Sequence, residues 1–154
     1  MITNIALFFA LMIYSMIVSQ SFMYIFALRD TQLNMDAAHY IQLRKLIDRN
    51  MQAKFRYAMY GALLVSLLLV PIAFADGSII LIVSALIAFG ALLLDTLVTV
   101  KGNLPINSKI NNWTVDQYPA DWPEVRAKWL QYYQYRQILN IAGFASLVAG
   151  VVFR

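Results

Sequence analysis

The stretch Ser78–Val100, SIILIVSALIAFGALLLDTLVTV, contains a single charged residue, Asp95, in an otherwise apolar run. A helix of about 20 apolar residues spans the roughly 30 Å hydrocarbon core of a lipid bilayer. Runs of similar character cover residues 5–28, 55–75 and 136–153. The sequence therefore predicts an all-α integral membrane protein with four spans, folded as one antiparallel bundle over residues 1–154 and embedded in the lipid bilayer.

The composition agrees with a membrane protein and excludes several kinds of chemistry. Apolar residues make up 61% of the chain and charged residues only 13%, whereas a soluble domain typically has about 25% charged residues. The chain has no cysteine, which excludes disulfides, zinc–thiolate sites, iron–sulfur clusters and thiol catalysis. Its one histidine has no second ligand at a metal-binding spacing, so we expect no metal ion.

The positive residues are concentrated in two polar segments, 29–54 and 101–135. With their flanks, the regions 29–56 and 101–137 carry all the lysines and arginines except Arg154. Four spans place these regions on one side, and the positive-inside rule makes that side cytoplasmic. We therefore expect a cytoplasmic polar cap, both termini outside the cytoplasm, and a location in a bacterial inner membrane. Topology and lipid headgroups explain the net charge of +4, so no nucleic-acid partner is expected.

Segment 29–54 has the pattern of an amphipathic helix. Five apolar residues at spacings of three and four form one face of it: Tyr40, Leu43, Ile47, Met51 and Phe55. Asn34 is the predicted N-cap. We expect this helix to lie at the membrane surface between the first two spans. The alternative is that it continues the second span into the cytosol.

The second polar segment is expected to interrupt the helical pattern. Gly102 and Pro105 predict the end of the third helix, because both residue types disfavour a continuing helix. A helical pattern resumes at Glu124 and runs to Phe153. Thirty residues of helix extend roughly 45 Å, so the first half of this last helix should protrude from the membrane.

Polar residues within the spans are the first candidates for a functional site. Asp95 is a carboxylate in a span, a costly placement that by default indicates a function. Alternatively, it lies near the interface and pairs with an arginine of a neighbouring helix. Gln20 and Tyr24 lie within about one turn of each other in the first span and are candidates for ligand binding. Their alternative role is hydrogen bonding between helices.

Further candidates lie in the polar segments. His39, the only histidine, has the chemistry of a base near neutral pH, and its alternative is a solvated surface position. A second group combines two amides, three tryptophans and two arginines: Asn103, Asn107, Trp113, Trp122, Trp129, Arg126 and Arg136. An interfacial aromatic belt with extended arginines explains the tryptophans well. It explains the Asn-x-Pro-x-Asn spacing less well.

The order of motifs in this second group is distinctive. Asn103-Leu-Pro-Ile-Asn107 follows the third span, and Asp121-Trp122, Arg126-Ala-Lys-Trp129 and Arg136 lead into the fourth. This order resembles the anthrone oxygenase-like family of small four-helix membrane proteins, best over residues 95–154. The resemblance implies the same fold and the oxidation of an anthrone to an anthraquinone by dioxygen, without metal or flavin, so no cofactor is expected.

The resemblance also implies roles for the candidate residues. In such a reaction a base removes an acidic C–H proton, donors stabilise the resulting anion, and dioxygen then takes an electron. Asp95 or His39 would be the base. The residues expected to hold the anion are Arg126, Arg136, Asn103 and Asn107. Those expected to stack on a flat polycyclic substrate are Trp113, Trp122 and Trp129.

A function without catalysis competes with this hypothesis. The polar segments would then dock on a partner in a membrane complex or on a second copy of the chain, or the protein would bind a lipid or quinone. Convergence of the polar candidates on one cavity would favour a site for a hydrophobic aromatic or quinone-like ligand. Tryptophans and tyrosines that face outwards, without a cavity, would favour a partner surface.

Overall fold

The computed structural model describes residues 1–154 as four long helices without strands. These are α1 (Ile2–Leu33), α2 (Ala37–Asp76), α3 (Ile79–Asn111) and α4 (Trp122–Phe153), and by length and composition all four could cross a membrane. Each helix packs mainly against two others, in the order α1, α2, α3, α4 and back to α1. The predicted four-helix bundle is therefore confirmed, and the four helices suggest an integral membrane protein.

The first connection differs from the prediction at the helix cap. α2 is capped by Asp36, whose carboxylate accepts the backbone N–H of His39 at 3.0 Å. Asp36 has the extended conformation that an N-cap requires, with φ −67° and ψ 171°. The prediction of Asn34 as the cap is wrong, because Asn34 still has right-handed helical angles at the end of α1.

Segment 29–54 does not form a separate surface helix. Its first residues extend α1 to Leu33, and the rest forms the first part of α2, which continues without a break into the second apolar run. The structure therefore adopts the alternative in which the polar helix continues the span. No glycine or proline occurs between Ala37 and Tyr60, so nothing in the local sequence ends the helix there.

The predicted end of the third helix at Gly102 and Pro105 is also wrong, because α3 continues to Asn111. A π-helical turn covers Thr99–Asn103, where the N–H of Leu104 bonds to the carbonyl of Thr99, five residues back. This wider turn ends two residues before Pro105, so the missing proline N–H falls where the regular hydrogen-bond pattern is already shifted. Gly102 allows close approach of α4, because a Cβ there would lie 2.6 Å from the Tyr132 ring.

The last helix begins at Trp122 and ends at Phe153, in agreement with the pattern that starts at Glu124. The apolar half of the bundle has a continuous core that includes Leu7, Tyr14 and Leu147, while its outer surface exposes large apolar side chains. The ends of the four helices that carry the polar segments form the cap. Tyr40, Ile110 and Val125 are part of a smaller core within this cap.

Close packing between α1, α3 and α4 predicts a large effect of adding one methyl group at Gly143. A Cβ at this position would overlap the hydroxyl of Tyr14 and lie 2.9 Å from the Cβ of Ala91. We expect Gly143→Ala to lower the free energy of unfolding by about 1–3 kcal/mol. Gly90→Ala is the matched control, since nothing lies within 4 Å of its added Cβ. Thermal unfolding in detergent micelles compares the variants, and equal loss of stability in both would contradict this account.

Candidate functional site

A cavity of about 510 Å³ lies between the apolar half of the bundle and the polar cap. The first three helices each contain a π-helical turn beside it, at Tyr24–Leu28, Met51–Phe55 and Thr99–Asn103. Each of these turns contributes residues to the cavity wall, among them Tyr24, Phe55 and Asn103. Because π-helical turns are rare and occur frequently at functional sites, their coincidence here indicates a candidate site.

Six of the residues singled out from the sequence line this cavity: Gln20, Tyr24, Asn103, Asn107, Trp129 and Arg136. Asp95 lies next to it but does not line it. Its side chain is fully buried, and its Oδ1 accepts a hydrogen bond from Nε of Arg136 at 2.6 Å. Of the two alternatives for Asp95, the structure shows pairing with an arginine of a neighbouring helix.

The other four candidates lie away from the cavity. His39 is on the surface, with its side chain 73% exposed. The hydrogen bond from the His39 backbone N–H, and to a smaller extent the hydrogen bond from its ring, hold the pKa of the Asp36 carboxyl below its usual range. Arg126 donates to the backbone carbonyls of Gln32 and Met35 at 2.8 and 2.9 Å, and thereby holds α4 against the first connection.

Trp113 and Trp122 belong to the core of the cap. Trp113 packs with Ile110 and Tyr40, and Trp122 lies against the ring of Tyr40, with a centroid distance of 6.1 Å. The structure therefore brings only one of the three tryptophans, Trp129, to the cavity.

One side of the cavity is an aromatic wall formed by Tyr24, Trp129 and Tyr133. The rings of Trp129 and Tyr133 are nearly parallel, at 10°, with centroids 5.1 Å apart. The ring of Tyr24 lies 4.1 Å from that of Tyr133. Arg44 from α2 places its guanidinium 3.7 Å from the centre of the Trp129 ring, a cation–π contact. The wall therefore combines flat apolar surface with a positive charge.

Arg44 and Asp48 are functional candidates that the sequence analysis missed. Arg44 is 3% exposed and Asp48 5% exposed, and both line the cavity. The predicted apolar face is half-buried beyond Tyr40, and Ile47, Met51 and Phe55 line the cavity. The assignment of Arg44 and Asp48 to the opposite face is wrong, because both are buried. The spacing of three and four was present in the sequence, but hydropathy assigned the charged members to the solvent side.

Asn107 connects these two charged residues. Its Oδ1 accepts from Nη2 of Arg44 at 2.9 Å and from Nε1 of Trp129 at 2.7 Å. Its Nδ2 donates to Oδ1 of Asp48 at 2.7 Å. Asp48 Oδ2 accepts two further amide hydrogen bonds, from Asn111 and Gln52, at 2.8 and 2.9 Å. Three helices thus share one polar network at the cavity.

Several buried polar atoms in this region have no partner within the protein. They are Nε2 and Oε1 of Gln20, Nε of Arg44 and Oδ1 of Asn103. An unsatisfied buried polar group costs about 1–3 kcal/mol, so native structures rarely keep several together without a reason. All three residues line the cavity. These unpaired groups are therefore candidates for hydrogen bonds to a bound molecule.

The cavity borders two surfaces of different character. Between α2 and α3 its lining residues Tyr60, Val100 and Leu104 are exposed on the outer surface of the bundle. A separate polar groove, lined by residues that include Lys45 and Arg49, shares Asp48 with the cavity wall. The site thus lies between an apolar outer surface and a polar groove.

The arrangement can hold a flat molecule against the aromatic wall and bind its oxygen atoms with amides and arginines. No group of three or more histidine, aspartate or glutamate side chains is placed to hold a metal ion. None of the protein-family models, curated proteins or solved structures compared with this chain matches it.

Proposed function

We propose that this chain is an integral membrane protein that binds a flat, aromatic, quinone-like compound in its cavity. The observation that carries this proposal is the aromatic wall of Tyr24, Trp129 and Tyr133 beside buried hydrogen-bonding groups without protein partners. A volume of about 510 Å³ is within the range of about 300–1,000 Å³ that is usual for ligand pockets.

The chemistry of the lining matches such a compound. Aromatic rings pack favourably against other flat rings, with a contribution of about 0.5–1.5 kcal/mol per pair beyond area burial. Quinone-like oxygens accept hydrogen bonds, and Nε of Arg44 and Nε2 of Gln20 are donors without a protein partner. The exposed lining residues Tyr60, Val100 and Leu104 give the cavity an apolar border on the outer surface, suited to a compound dissolved in the bilayer.

The proposed environment is a bacterial inner membrane, with the polar cap in the cytoplasm and both termini on the opposite side. Support comes from the charge distribution, because only Arg154 among the lysines and arginines lies outside the two cap regions. Arg154 contacts Asn4 of α1, at the end of the bundle remote from the cap. The proposed site then lies near the cytoplasmic interface of the membrane.

Oxidation of an anthrone-like compound by dioxygen is a second candidate function at the same cavity. It is supported by the resemblance to the anthrone oxygenase-like family and by one feature of the site. Asp48 is a carboxylate on the cavity wall and also faces the polar groove, so it is placed to accept a substrate proton and pass it to water. Oxygen consumption with an anthrone that is equal in Asp48→Asn and the unaltered protein would remove this role.

The binding proposal predicts a loss of affinity when the aromatic wall is reduced. We expect Trp129→Leu to weaken binding of 2-methoxy-1,4-naphthoquinone about tenfold, because it removes an aromatic ring and the surface that orders Arg44. Equilibrium dialysis in maltoside micelles, with empty micelles subtracted, measures the affinity. Phe26→Leu is the control, since Phe26 is 83% exposed on the outside of the bundle.

The same measurement separates ligand binding from an accessory role, in which the polar segments dock on a protein partner in a membrane complex. Saturable binding that Trp129→Leu weakens and Phe26→Leu does not is the expected result. Binding no greater than that of empty micelles would contradict the proposal. An accessory role would then be favoured, and a stoichiometric protein partner after gentle extraction would support it.

A further inference from the structure

We infer that the compound bound in the cavity is an anion, an acidic aromatic molecule of the hydroxyquinone or phenolate class, and that Arg44 binds its charged oxygen. This inference rests on the proposed function and adds the charge of the ligand to it.

The first observation is that Arg44 is a buried cation without an acidic partner. It is 3% exposed, and it forms no ion pair with any carboxylate of the chain. Its hydrogen-bond partners, the hydroxyl of Tyr24 and Oδ1 of Asn107, are neutral, as is the Trp129 ring beneath it. A buried charge is strongly disfavoured unless it is paired, so a negative group brought by a ligand would be stabilised at this position.

The nearby carboxylates are already engaged elsewhere. Asp48 lies one helical turn beyond Arg44, but its two oxygens accept three amide hydrogen bonds, from Asn107, Asn111 and Gln52. Asp95 is paired with Arg136. Neither carboxylate therefore neutralises Arg44 by direct contact.

The charges around the cavity also leave a positive excess. Three arginines line it, Arg44, Arg56 and Arg136, whereas Asp48 is the only carboxylate in its lining. Counting Asp95 behind Arg136 still leaves one more cation than anions, and the additional cation is Arg56, which is exposed. This excess favours an anionic ligand over a neutral one of the same shape, and the contribution of Arg56 is screened by solvent.

The free donors show where the negative oxygen would bind. Nε of Arg44 has no partner in the protein, and neither has the side-chain amide of Gln20, which lines the same cavity. A hydrogen bond from a guanidinium to an anionic oxygen is about twice as strong as one between neutral groups. An acidic oxygen on a flat ring would thus contact Arg44 while the ring packs on the aromatic wall.

The test compares two ligands that share one ring system. 2-Hydroxy-1,4-naphthoquinone is ionised at neutral pH, whereas 2-methoxy-1,4-naphthoquinone is neutral. In the unaltered protein we expect the hydroxy compound to bind at least about tenfold more tightly, from a hydrogen bond to a charged group. Dialysis is carried out in uncharged maltoside micelles. Dodecanoate, an acid without a ring, should bind weakly, and equally tight binding of dodecanoate would overturn the aromatic class.

Variants assign the preference to Arg44. Arg44→Gln should abolish the preference for the hydroxy compound while the methoxy compound still binds, and Arg44→Lys, which keeps the charge, should retain part of it. Arg29→Gln removes an exposed positive charge from the same end of the bundle and should leave the preference intact. Circular dichroism and thermal unfolding check that each variant is folded, and the comparison of ligands in the unaltered protein depends on no variant.

The outcomes are distinguishable. Equal affinity for the two naphthoquinones would overturn the inference and leave the proposed function standing. A preference that persists in folded Arg44→Gln would overturn the role of Arg44. Failure of both naphthoquinones to bind above empty micelles would contradict the proposed function and, with it, this inference.

Discussion

Replacement of Arg136 by methionine is expected to lower the free energy of unfolding by roughly 3–5 kcal/mol, one of the two largest effects that we predict. Nε of Arg136 donates to Oδ1 of Asp95 at 2.6 Å, and the side chains are 9% and 0% exposed. Arg136→Met leaves the carboxylate buried without its counter-ion. Reversible unfolding in mixed micelles, with increasing mole fraction of a denaturing detergent, measures the change.

The control for this prediction removes both charges. In Asp95→Leu/Arg136→Met no buried charge remains uncompensated, and replacing a buried ion pair by apolar residues is often neutral or stabilising. We therefore expect the double variant to recover most of the stability lost in Arg136→Met. A double variant as unstable as the single one would show that the ion pair is not the cause of the loss.

Replacement of Asn107 by leucine is the second large effect that we expect, with a loss of about 3 kcal/mol or more. Asn107 accepts from Arg44 and Trp129 and donates to Asp48, so the change leaves three buried groups without a partner. Each unsatisfied buried group costs about 1–3 kcal/mol, and more when it is charged. The same unfolding measurement applies.

Asn111→Leu is the matched control for Asn107→Leu. Asn111 also donates to Asp48, at 2.8 Å, but its side chain is exposed and has this single partner. We expect a loss below about 1 kcal/mol, because water replaces the missing donor. Similar losses in the two variants would argue against Asn107 as the centre of the polar network.

The number and class of the long helices could be predicted from the sequence because they depend on local properties. Four apolar runs of near-membrane length occur, and the helical pattern from Glu124 to Phe153 matches a helix that begins at Trp122. Such patterns depend on the environment of each segment and on hydrogen bonds within its own helix. Both are determined by residues that are close in the sequence.

The continuity of the helices could not be predicted in the same way. Gly102 and Pro105 indicated the end of a helix, yet α3 passes both through a π-helical turn. Gly102 serves the contact with Tyr132 on α4, a partner thirty positions away in the sequence. Packing between helices therefore overrides the local preference of a glycine.

For the candidate site, the sequence identified individual residues and the tertiary structure selected among them. Gln20, Tyr24 and Trp129 come together at the cavity, whereas His39 and Arg126 lie outside it. All five have the polar or aromatic chemistry of a site residue. These residues differ in whether they lie on the side of their helix that faces the cavity, and hydropathy alone does not show this.

Four long apolar helices with a positively charged cap follow from the amino-acid sequence alone, because helix length and apolar character are local properties. The inward orientation of Arg44 and Asp48 follows only from the packing of the helices. Both are buried because Asn107, fifty-nine or more positions further along the chain, satisfies them from α3. A charged residue can occupy a buried face when such partners exist, and those partners are brought together by packing of the whole bundle.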